Sequence, residues 1–136
     1  MAALGSITAV RSTSNTVTRN VIYGATVAAG QPLYLDISDG EWKLADANAS
    51  VTTADAKGIA ITPGVDAGYG LVAVNGSIIL VGTTMAVGET YYVGGTAGTI
   101  VPDADLTTSD WVTRLGTGAT ATQIDLSIEA TAIVHA

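Results

Sequence analysis

The residues able to do chemistry are few. The single histidine, His135, is next to the last residue, where chains fray, and no second imidazole exists to share a metal or relay a proton. Cysteine is absent, which excludes a thiolate metal site, a cysteine nucleophile and a disulfide scaffold. None of the eight serines stands in the Gly-x-Ser-x-Gly frame of a nucleophile elbow. The glycine-rich stretch Gly94-Gly-Thr-Ala-Gly98 lacks the lysine of a phosphate loop and opens no helix, so it reads as a turn. Carboxylates cluster at Asp36, Asp39 and Glu41 and again at Asp103 and Asp105. Calcium needs such oxygen ligands, but neither cluster has EF-hand spacing, and Asp39-Gly40 is explained by hairpin geometry. No pair of acids is spaced for glycoside hydrolysis, which leaves a carbohydrate-active enzyme a distant reading. The expectation is a protein without catalytic residues, cofactor or metal.

Composition narrows the class further. Of 136 residues 48% are apolar and 12% charged, the mean hydropathy is +0.43, and phenylalanine is absent. Val, Ile, Leu and Ala must therefore build one small core, and the chain is no acidic disordered tail. No apolar run approaches the roughly 18 residues of a membrane span. The start has neither the basic nor the long apolar region of a secretory leader, which reads as a protein made in a cytosol. Net charge is −7, divided as +2 over residues 1–35, where Arg11 and Arg19 stand without an acid, and −9 over the remainder. Such a body repels nucleic acid, while its first segment suits an acidic partner.

The elements that must carry any binding residues are short strands. Thr122 to Glu129 alternates, placing Ile124, Leu126 and Ile128 on one face. Leu33–Ile37 and Glu41–Leu44 flank Ser38-Asp39-Gly40 as a hairpin, and Val72–Val74 and Ser77–Val81 flank Asn75-Gly76 as a second, with a type I′ turn. Further strands are expected at 16–23, 57–61, 90–93 and 111–115, and one helical turn after Ser50. The fold class is all-β: a small barrel or sandwich of short antiparallel strands. An extended N-terminal arm over 1–20, mobile in the free protein, precedes a single β domain over 21–136.

A faint repeat runs through that domain. Val27–Leu35 aligns with Met85–Val93, and the same shift carries Gly40 to Gly98, Trp42 to Ile100 and Gly58 to Gly116. Two related units, about 25–82 and 83–136, are expected to share one core.

Three runs of the first half, Ala28-Ala-Gly-Gln-Pro-Leu-Tyr-Leu-Asp36, Gly40-Glu-Trp-Lys-Leu-Ala-Asp46 and Lys57-Gly-Ile-Ala-Ile61, together resemble the capsid cement or decoration proteins of tailed bacteriophages. Gly88–Val93, Gly98-Thr-Ile100 and Arg114-Leu-Gly116 are similar to a pattern of phage head and fibre proteins. The similarity spans about residues 20–130 and brings no catalytic residues with it. It implies a non-enzymatic structural protein on the outer surface of the virion head, often a homotrimer, that ties major capsid protein subunits together. Neither nucleic acid nor membrane is implied as a partner. A fibre, spike or receptor-binding module is the alternative. The segment expected to touch the capsid is the arm, through Arg11, Thr16, Val17, Thr18 and Arg19, by adding a strand to an exposed edge.

Overall fold

A computed structural model describes Leu4 and residues 7–135. It is nearly all β. The strands are β1 (Ala9–Ser12), β2 (Val17–Ile22), β3 (Pro32–Asp36), β4 (Glu41–Leu44), β5 (Ala56–Ala60), β6 (Tyr69–Val81), β7 (Thr90–Val93), β8 (Ile100–Pro102), β9 (Trp111–Gly118) and β10 (Gln123–Val134). One helical turn, α1 (Val51–Ala54), follows Ser50, whose hydroxyl accepts from the Thr53 N–H at 3.1 Å and caps it. The strands form one antiparallel sheet in the order β4-β3-β5-β6-β10-β9-β7-β8, curled into a half-barrel, with β1 and β2 both paired to β6.

The two halves of that order fold alike. In β3–β4, Leu33 faces Leu44 and Leu35 faces Trp42; in β7–β8, Tyr91 faces Pro102 and Val93 faces Ile100, a shift of 58 residues throughout. Leu33 opposite Gly58 becomes Tyr91 opposite Gly116, and a bulge follows at the same place in both pairs. The turn before each pair repeats as well: Gly30 (φ 89°) donates to Ala60, and Gly88 (φ 83°) donates to Gly118, both at 2.8 Å. The first half of β6 pairs with β2 and β5, and its second half pairs with β1 and β10. β6 is thus the last strand of the first unit and the first strand of the second.

This arrangement corrects the expected hairpin at Asn75-Gly76. Gly76 does have φ 83°, but the chain runs straight through it from Tyr69 to Val81. The positive φ serves a bulge across the ladder. Between Ser12 opposite Ile78 and Val17 opposite Asn75, the four residues 13–16 face only Gly76 and Ser77. A Cβ on Gly76 would meet the Asn15 carbonyl oxygen at 2.1 Å, so only glycine fits.

The core forms two clusters rather than one. The smaller holds Val21, Tyr23, Val27, Leu33, Trp42, Ala60 and Val72 of the first unit. The larger gathers Ile78, Leu80, Tyr91, Val93, Ile100, Leu115, Ile124 and Leu126, and takes Ala45, Ala47, Ile59 and Ala73 from the first. Residues expected to stand off as an arm are, where described, built into the sheet. Val10 is buried in the larger cluster and Leu4 and Ile7 pack on it, since these apolar groups bury area that an arm would leave in water.

In β10, Ile124 and Leu126 are buried, Ile128 is half-buried and Ser127 is exposed, following the alternation. Leu126→Ala is therefore expected to lower unfolding free energy by about 2–5 kcal/mol in urea titration, and Leu126→Asp to prevent folding. Ser127→Asp is expected to leave stability within about 0.5 kcal/mol. Equal losses at 126 and 127 would contradict the assigned face.

Candidate interaction surface

The five residues singled out by the sequence lie on one ribbon, β1–junction–β2, laid along β6. Arg11 is exposed opposite Ile79. Thr16 sits in the junction, where its hydroxyl accepts from the Thr13 N–H at 2.7 Å and donates to the Ser77 carbonyl at 2.5 Å, so this side chain shapes the turn. Val17 is 50% exposed, and Thr18 is exposed opposite Ala73. Arg19 is exposed opposite Val72, its guanidinium 5.6 Å from the centroid of the Trp42 ring. That cation–π contact holds the charge at a fixed place on the rim of the first unit. Trp42 as the seat of Arg19 has no signal in the sequence, because sheet curvature alone brings 19 and 42 together.

The second edge of Val17–Asn20 is the open feature of the ribbon. These four residues are exposed in a row and pair with β6 on one side; among the described residues no strand pairs with the other. Main-chain donors and acceptors on such an edge are a template for a further strand.

An apolar concavity lies between the units. Leu35 and Ile37 from β3 and its turn, Val51 and Ala54 of α1, and Trp111 and Val112 of β9 line a groove of about 470 Å³. Lys57 pairs with Asp55 at 3.2 Å beside it, and Thr113 donates its hydroxyl to the Ala54 carbonyl. Beside that apolar lining, Thr52, Asp55 and Lys57 give the groove a polar part. A smaller polar hollow holds Asp110, which is 1% exposed. One of its oxygens accepts from the Thr107 N–H and hydroxyl, while the other is buried without a partner. His135 is pinned by its backbone and not frayed: its N–H donates to Asp110 and its carbonyl accepts from Ser109.

The acidic turn after β3 is partly neutralised by a single base. Lys43 reaches Asp36 at 2.7 Å and Asp39 at 2.9 Å, and Ser38 donates its hydroxyl and N–H to Asp36. No group of three His, Cys, Asp or Glu residues among the described residues is placed to hold a metal ion, and no helix among them is long and apolar enough to cross a membrane. No family model matches this chain, and no curated protein matches it.

Lys43, then Ser38, hold the Asp36 carboxyl down at about 2, against 3.8 for the free group. Asp39 is lowered too, first by the Glu41 N–H and then by Lys43. A carboxyl lowered in the folded state adds stability above its unfolded value, and that contribution disappears as pH falls from near 3.8 toward 2. By NMR titration Asp36 is expected to show its midpoint near 2, and Lys43→Met to move it toward 3.8. An unmoved midpoint would show that Lys43 is not the cause.

Proposed function

We propose that this chain is a non-enzymatic decoration protein of a tailed-phage head, binding the outer surface of the assembled capsid and tying major capsid protein subunits together. The reading rests on the resemblance over residues 20–130, and the observation that carries it in the fold is the open edge of β2 beside Arg19. Val17–Asn20 offer main-chain hydrogen bonds to an edge strand of the lattice, and Arg11 and Arg19 add charge directed at an acidic partner. A ligand that binds only the assembled shell stabilises it by mass action. Association as a homotrimer multiplies weak contacts by effective concentration.

Purified undecorated heads test this. The protein is expected to bind them saturably, with an affinity that falls as salt is raised. Arg11→Glu with Arg19→Glu is expected to weaken binding about tenfold or more and to remove most of the salt dependence, with unfolding temperature little changed. Light scattering is expected to give three chains per particle. Failure of the wild-type protein to bind intact heads would overturn the reading, and binding to host-cell envelopes instead would favour a fibre or receptor-binding module.

A further inference from the structure

The repeat exposes a difference between the units at one place, the seam between their first and last strands. In the first unit the seam closes on itself. Tyr23 bridges Trp42, and the Gly24 N–H donates to the Trp42 carbonyl at 2.8 Å. The shift of 58 residues takes Tyr23 to Val81 and Trp42 to Ile100. There the edges do not bridge each other. The Thr8 N–H donates to the Val81 carbonyl, the Leu4 N–H donates to the Ile100 carbonyl, both at 2.8 Å, and β1 continues the pairing along β6. Leu4 and residues 8–12 thus pair along a seam that its counterpart closes by main-chain bridging at Tyr23 and Trp42.

The filling is specific. Val10 is 8% exposed within the larger core cluster, and Leu4 and Ile7 pack against it. Gly30 makes the socket for Ile7: a Cβ there would lie 2.5 Å from the Ile7 Cγ2. Exchange needs a hinge, and the junction supplies one. Residues 13–16 hold two more residues than the stretch of β6 they face. Drawn straight, that surplus lengthens the ribbon by about 7 Å, enough to take β1 out of its own register on β6.

We propose that the seam of the second unit is a strand-acceptor groove, and that in the self-associated protein its occupant is the Leu4–Ser12 segment of a second copy of this chain. The groove recognises the same residues in the same register whichever copy supplies them. Exchange therefore costs little in contacts and is driven by concentration. The inference concerns self-association only and does not depend on the capsid reading.

The absence of native cysteine makes the test direct. Arg11 and Ile79 face each other across β1 and β6, and neither is fully buried. Arg11→Cys with Ile79→Cys, oxidised without heads present, places a disulfide across the seam. Where dilution leaves the chain monomeric, the bond is expected to form within one chain. In the oligomer, or at millimolar concentration, it is expected to join chains into a ladder on denaturing non-reducing gels, and each single-cysteine variant is expected to give no ladder. Bonds that stay within chains while sedimentation shows an oligomer would overturn the exchange, as would a monomer at millimolar concentration. Should the double variant fold poorly, a labelled synthetic peptide of residues 4–14 is added to the unaltered protein. Saturable binding that is lost when the peptide carries Val10→Asp is expected, and no binding at millimolar peptide would overturn the proposal.

Discussion

Thirteen residues of unbroken strand, Tyr69–Val81, must satisfy both of their edges, and this requirement organises the molecule. Four other strands meet it: β2 and β1 along one edge, β5 and β10 along the other. Each unit alone is about 60 residues, a size at which burial barely offsets chain entropy. Sharing β6 lets one strand serve two units, and Ala73, Ile78 and Leu80 of β6 all enter the larger core cluster. Gly76 is the point where the strand changes unit, and its missing Cβ admits the surplus residues of the junction.

Two copies of one supersecondary pattern then diverge where their side chains differ in size. Tyr23 and Trp42 are both fully covered or nearly so, and the Tyr23 ring fills the space that Gly64 and Gly70 leave open. Its hydroxyl donates to the Thr62 carbonyl at 2.7 Å, so the buried polar end is satisfied. Val81 and Ile100 are smaller. With aliphatic residues at both equivalent positions, apolar volume is missing from the second seam, and Leu4, Ile7 and Val10 supply it.

Local signals carried the elements well and their connections less so. The alternation from Thr122 to Glu129, the Glu41–Leu44 strand and the cap at Ser50 were legible because each depends on neighbours in sequence. Asn75-Gly76 misled because a positive φ is common to a type I′ turn and to a bulge, and only the partner strand decides between them. β1 was hidden because its two apolar residues, Ala9 and Val10, are adjacent and show no period, and Val10 is buried by a partner 70 residues away in the chain. Of the candidate surface, the acid-free stretch with its two arginines was legible from composition, whereas the Arg19–Trp42 contact and the groove beside Trp111 arise from sheet curvature and from the pairing of β9 with β10.

The ribbon along β6 joins the proposed surface to the proposed exchange. Arg19 lies on β2, anchored over Trp42 within its own first unit, and it keeps that place whichever copy fills the seam. Arg11 lies on β1 and travels with the segment. In an exchanged assembly the two positive charges at one contact site thus come from different copies. The charge pattern of that surface is the same in the single chain, where one copy supplies both arginines, so exchange alters which copy provides Arg11 and leaves the pattern intact. A body of charge −9 beyond residue 35 repels its own kind at a distance, and the exchanged strand, with its short-range main-chain hydrogen bonds, is the contact able to overcome that repulsion once two copies are held side by side.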